Sequence, residues 1–165
     1  KMDDLLDEVG SDAVRFMLIS RSADTTIDFD IELAKKQSDE NPVYYVQYSH
    51  ARIASILKKA AESGFAAEGD VSLLTHPAEL ELIREMMRLP EVVELAAAKL
   101  EPHHLPHYGI SLAGLFNSFY TQCRVVSSDP GDAAISRARL KLVTAAKNTF
   151  ARTLNLMGVH APETM

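Results

Sequence analysis

Cysteine is nearly missing: the 165 residues contain one, Cys123. No intramolecular disulfide can form, which excludes a disulfide-built secreted domain and fits a reducing cytoplasm. Cys123 lies in an apolar helical stripe, which marks it as a small core residue rather than a thiol nucleophile. Long apolar runs are also missing. None approaches the roughly 20 residues of a membrane span, so no membrane partner is expected. The opening Lys1-Met2-Asp3-Asp4 is acidic and lacks the apolar stretch of a signal peptide. Its start at Lys suggests a piece cut from a longer chain. Motifs that carry chemistry are missing as well: there is no G-x-G-x-x-G, no G-x-x-x-x-G-K and no G-x-S-x-G. Asp3, Asp4, Asp7 and Glu8 read as a solvated helix start rather than paired acid–base carboxylates. His103 and His107 are four apart, a spacing that could bridge a metal on a helix. Pro102 and Pro106 bracket them and no third ligand pattern stands nearby, so no metal site is expected. No catalytic residue is expected either. Basic charge is in short supply: 17 Lys and Arg face 23 Asp and Glu, a net charge of −6. On average, that argues against phosphate contact.

What is present is helical periodicity. Ser11 and Asp12 start a helix whose apolar face is Val14, Phe16, Met17, Leu18 and Ile19. Residues 25–30 alternate briefly and admit a short extended piece. Asn41-Pro42 opens a long helix, with Asn as N-cap and Pro at the first position, ending before Gly64. Gly64 to Pro77 reads as a loop. Helices follow over about 78–88, 90–100 and 107–126, with a junction from Pro102 to Pro106. Ser127 to Gly131 is a turn. Asp132 caps a last helix that ends at Gly158 as a C′ glycine. The expected fold class is all-α, an antiparallel helix bundle.

Two of these helices carry a second face. On the helix from Asn41, Val43, Val46, His50, Ile53, Leu57 and Ala60 fall in one core arc. His50 on that arc reads as a buried, hydrogen-bonded histidine. Tyr45, Tyr48, Arg52, Ser55 and Lys59 share another arc about 150° away, looking away from the core. Rings can stack on unpaired bases while cations meet phosphates. On the helix over 107–126, Tyr120, Arg124 and Asn117 sit together beside the core arc, and Tyr120 and Arg124, four apart, are expected to stack. The charge is uneven along the chain. Residues 41–63 hold three basic groups and one acidic, and residues 101–165 hold six and four. The acidic excess lies in residues 1–40 and 64–100, outside the segments with Tyr/Arg faces. The other reading of those faces is a helical protein-interaction module without nucleic acid, since Tyr and Arg are also enriched in protein contacts.

Four stretches resemble the C-terminal part of bacterial-type arginyl-tRNA synthetases, a class I aminoacyl-tRNA synthetase family. Val9-Gly10-Ser11-Asp12-Ala13-Val14-Arg15-Phe16 contains Asp12-Ala13-Val14-Arg15, close to the Asp-Ala-Leu-Arg signature of this anticodon-binding domain, with Val14 where Leu is usual. Asp28-Phe29-Asp30 and Ala34-Lys35-Lys36-Gln37-Ser38 resemble the family's connector. Asn41-Pro42-Val43-Tyr44-Tyr45-Val46-Gln47-Tyr48-Ser49-His50-Ala51-Arg52-Ile53 is the most specific stretch. Leu156-Met157-Gly158-Val159-His160-Ala161-Pro162-Glu163-Thr164-Met165 is similar to the family's usual C-terminus. The resemblance implies a bundle of the class I synthetase anticodon-binding type over residues 39–165. Residues 1–38 would be the connector from a missing catalytic domain, with the signature helix. It implies tRNA binding at the anticodon stem-loop by Tyr45, Tyr48, Arg52, Tyr120 and Met165, and the Tyr/Arg faces add the cations Lys59 and Arg124 to that set. The whole enzyme would join arginine to its tRNA with ATP and Mg, while this piece holds no cofactor and lacks the active site. Its expected partners are the tRNA and the catalytic domain of the same chain. A monomer in the cytoplasm is expected.

Overall fold

The structure, a computed structural model, describes residues 2–26 and 28–165. Eight α-helices appear in order among the described residues: α1 Met2–Val9, α2 Ser11–Ile19, α3 Ile31–Lys35, α4 Pro42–Glu62, α5 Pro77–Met87, α6 Leu89–Lys99, α7 His104–Gln122 and α8 Ala133–Leu156. No strand occurs among the described residues. The piece expected to be extended over residues 25–30 joins no sheet in its described part; Asp30 at its end has extended backbone (φ −78, ψ 98), and Ile27 lies outside the described residues. The loop expected from Gly64 to Pro77 contains one 3-10 turn, Val71–Leu73.

The bundle is organised around α7, which packs against α4, α5, α6 and α8. Helices α4 and α8 also pack on each other, and α2 lies on α4. Apolar spacing explains this. Leu112, Phe116 and Phe119 of α7 are fully buried with Val46 and Ile53 of α4 and Leu140, Phe150 and Leu154 of α8. Phe116 meets Phe150 edge to face, with centroids 6.1 Å apart at 84°, the arrangement that ring quadrupoles favour. Phe16 of α2 is fully buried in the same core. The buried Tyr108 donates its hydroxyl to the Glu85 carbonyl at 2.9 Å, fixing α7 on α5.

The ends of the helices differ from expectation in instructive ways. Asn41 holds the N-cap position of α4 but makes no cap bond. Its buried amide instead donates back to the Ala34 and Lys36 carbonyls, 3.0 and 2.9 Å away, tying α3 to the start of α4. Asp132 likewise makes no cap bond. Asp129 accepts from Gly131 N at 2.8 Å and starts a 3-10 turn, Pro130–Asp132, that leads into α8. Helix α7 begins three residues before the expected His107. Pro106 fits inside its first turn because the amide that proline lacks has no intrahelical partner there. The helix stops at Gln122, not Val126. Cys123 is extended (φ −121, ψ 113), and Cys123, Val125 and Ser127 are buried in alternation with Arg124 and Val126. Gly158 ends α8 as expected, at φ +66, with Val159 N bonded to the Leu154 carbonyl. In this closing motif the C′ residue must be left-handed, which glycine adopts without steric cost.

The tail then returns across the bundle. Asp12 Oδ2 accepts from Gln47 Nε2 at 2.9 Å and from His160 N at 3.2 Å. Gln47 Nε2 also donates to the His160 carbonyl. His50, buried as the sequence predicts, bonds the Pro162 carbonyl through Nδ1 at 2.8 Å. Lys147 pairs with Glu163 at 2.7 Å. Hence the acidic residue of the Asp12–Arg15 signature fastens the chain's last segment to α2 and α4.

Candidate nucleic-acid interface

The Tyr/Arg faces of α4 and α7 are not separate. Helix α4 has neighbours on several sides, so its Tyr/Arg arc turns toward α7 rather than away from the bundle. The Arg52 guanidinium lies over two rings: its Cζ is 4.6 Å from the Tyr48 centroid and 5.3 Å from the Tyr120 centroid. Arg52 Nη2 donates to the Tyr48 hydroxyl at 2.9 Å, and Nη1 reaches Asn117 Oδ1 at 3.5 Å, a long contact. The stack continues outward. Tyr44 lies parallel to Tyr48, with centroids 5.8 Å apart at 9°. Tyr120 stacks on Phe116 at 6.1 Å and 29°. Tyr44, Tyr48, Arg52, Tyr120 and Phe116 thus form one ladder joining α4 to α7. A planar cation between two ring faces is attracted to both.

A groove runs along each side of this ladder. The first has a volume of about 340 Å³ and is bounded by Ser38, Asp39, Tyr45, Tyr48, Arg52 and Asn117. The second, about 570 Å³, is bounded by Ile56, Lys59, Tyr120, Gln122, Arg124 and Val126. Tyr45 is half-buried at the first groove. Burial, followed by the nearby Asp39 carboxylate, pushes its phenol above the usual tyrosine value. Lys59 and Arg124 are exposed at the second.

One expectation about the site needs correction. Tyr120 and Arg124 do not share a helical face, because α7 ends between them; the cation that covers Tyr120 is Arg52, from the other helix. Arg124 is set instead by its backbone: Arg139 Nη1 donates to its carbonyl at 2.9 Å. Arg139 is held in turn by the buried Glu79, with Nε to Oε1 at 2.7 Å. Met165 is exposed at the end of the tail and lines neither groove. Sequence reasoning missed Tyr44. Its signal was the spacing of four to Tyr48, which puts the two rings on adjacent turns.

Residues 46–165 match the family described as the DALR anticodon binding domain. The chain is 54% identical over 163 residues to the arginine–tRNA ligase of Dehalococcoides mccartyi strain CBDB1, covering 98% of this chain and 29% of that protein. It is 48% identical over 172 residues to the arginine–tRNA ligase of Heliobacterium modesticaldum, covering 99% of this chain and 30% of that protein. The arginyl-tRNA synthetase of Thermus thermophilus superposes with a TM-score of 0.81 at 33% identity, over 96% of this chain and 27% of that one. The chain therefore spans less than a third of the length of these relatives.

Proposed function

The chain belongs to the DALR anticodon-binding domain family, and from that membership we propose that it grips the anticodon arm of a tRNA on behalf of an arginine–tRNA ligase. The catalytic part of that enzyme lies outside this chain, and residues 1–38 are the connector toward it. The observation that carries this reading is the ladder of rings and guanidinium between two open grooves. Tyr45 offers its ring, and Tyr48 and Tyr120 the edges left open beside their ladder partners, for splayed bases of the anticodon loop to stack or pack on. Arg52, Lys59 and Arg124 supply cations to phosphates or base edges. Met165, exposed on the tail, reaches toward the same loop. The whole enzyme acts as a monomer in the cytoplasm. Among the described residues, no helix is long and apolar enough to cross a membrane.

ATP and magnesium serve the catalytic part. The residues of this chain do not fit them: there is no glycine-rich phosphate loop. The described cluster able to hold a cation is Glu101 with His103 and His104, whose two imidazoles do not suit an ion that prefers oxygen.

Binding of cognate tRNA to wild type and to Tyr48→Ala at low and at physiological salt tests the reading. Wild type is expected to bind weakly and more tightly at low salt. Tyr48→Ala should lose about 1–3 kcal/mol, the contribution of one stacked base. Equal affinity of the two proteins at both salts, or no binding at low salt, rejects it. The latter result favours a protein-interaction module.

A further inference from the structure

Besides the grooves, the corner between α6 and α7 concentrates imidazole and carboxylate. Spacing alone offers only His103 and His107 there. The fold adds Glu101. One donor atom each from Glu101, His103 and His104 lies within 4.8 Å of the others. His104 Nε2 and Glu101 Oε2 are 2.9 Å apart. The His103 ring sits between His104 and His107, with centroids 4.5 and 5.7 Å away.

Two features point to a ligand at this corner. First, His103 Nδ1 is buried without a hydrogen-bond partner, a cost that a bound cation removes. The turn that brings Glu101 round is a regular helix ending: Leu100 is left-handed, with φ 56 and ψ 38, and Glu101 N bonds the Ala96 carbonyl at 3.0 Å. Second, His104 and His107 line a cavity of about 200 Å³ together with Glu85 and Arg88. Glu85 Oε1 is buried without a hydrogen-bond partner, while Oε2 pairs with Arg88 at 2.8 Å.

We propose that Glu101, His103 and His104 form a binding site for a divalent transition-metal ion, zinc first among them. Two imidazole nitrogens and a carboxylate oxygen are a known zinc donor set, and they leave a fourth position for His107 or water. Tetrahedral bonds of about 2.0–2.2 Å place donors roughly 3.3–3.6 Å apart. The donors lie within 4.8 Å of one another, with His104 Nε2 and Glu101 Oε2 at 2.9 Å, so small side-chain rotations complete the site. The ion takes the place of the proton between His104 and Glu101 and pins the α6–α7 corner.

The test is titration of the chelator-stripped chain with Zn²⁺ by calorimetry, and with Co²⁺ by visible absorption, whose intense bands report tetrahedral nitrogen and oxygen donors. One equivalent is expected to bind, and the thermal midpoint should rise with Zn²⁺ concentration. His104→Ala should weaken binding by roughly tenfold or more. His160→Ala, an exposed imidazole outside the cluster, should bind like wild type. Circular dichroism confirms that both variants are folded. Absence of binding heat and of a cobalt spectrum overturns the site, as does unchanged binding by His104→Ala.

Discussion

Glu79 on α5 gives a sharp test of how the second groove is held. Its side chain is 1% exposed, and both oxygens are used. Oε1 accepts from Arg139 Nε at 2.7 Å, and Oε2 accepts from His76 N at 2.9 Å, closing the capping box of α5. Glu79→Ala removes both. The lost cap costs about 1 kcal/mol. Breaking a buried ion pair costs about 3–5 kcal/mol, because the remaining charge is left unpaired. Arg139 keeps 18% of its side chain in solvent, so a lower figure of about 2 kcal/mol applies. The sum is about 3 kcal/mol, or a fall of roughly 6–12 °C in midpoint for a chain of this size. Glu79→Gln keeps the shape and one of the two acceptors, while its amide nitrogen faces an N–H donor, so it should lose about 2 kcal/mol, less than Ala. Urea melts followed by circular dichroism measure the difference. Amide exchange across residues 123–127 should accelerate in the Ala variant, since Arg139 also holds the Arg124 carbonyl. A loss under about 1 kcal/mol in the Ala variant, or equal losses in Ala and Gln, refutes the reasoning.

Gly69 lies with its backbone against α8; a Cβ there would sit 2.0 Å from Ala138 N and 2.3 Å from the Arg137 carbonyl carbon. Because those atoms are helix backbone, Gly69→Ala should cost about 1–3 kcal/mol or more and lift the loop before α5, which limited proteolysis of residues 64–76 reports. Stability should also fall in alkali. Burial raises Tyr45, Tyr108 and Cys123 above their ordinary values of 10.0, 10.0 and 9.0. The folded state therefore keeps these protons longer than the unfolded chain does. Their stabilisation is complete below the unfolded values and is lost as pH rises through them toward the folded ones. Denaturant midpoints near neutrality and at about pH 10.5 check this; identical midpoints contradict it, and Tyr108→Phe should reduce the drop.

Much of the bundle was legible because helix periodicity is a local property. The spans of α4 and α8, the C′ glycine at Gly158 and the buried His50 all follow from spacing along one helix. Charge counted by segment also separated the acidic stretches from those bearing Tyr and Arg. What escaped was set between helices. A helical projection ranks neighbours on its own helix only, so it paired Tyr120 with Arg124. The crossing of α4 and α7 decides that Arg52 fills that place. The end of α7 was misjudged for a related reason. Cys123, Val125 and Val126 are apolar enough to prolong a helical stripe, yet their alternating burial marks extended chain. Asn41 shows the same limit, because its N-cap preference gave way to carbonyls on α3. His103 and His107 looked like an incomplete pair because Glu101 approaches only through the left-handed turn at Leu100.

The bond from His160 N to Asp12 spans 148 residues, and it sets an order in time. Synthesis runs from the N-terminus, so Asp12 leaves the ribosome long before its partner exists. Until residue 160 follows, α2 is attached to the nascent bundle through Phe16, its apolar neighbours and the Asp12–Gln47 bond. Closing so long a loop is also the slowest kind of contact to form. The second bond of the signature aspartate is thus a latch that shuts last. A chain stalled before residue 160 would carry an assembled helical centre with α2 fastened on one side only.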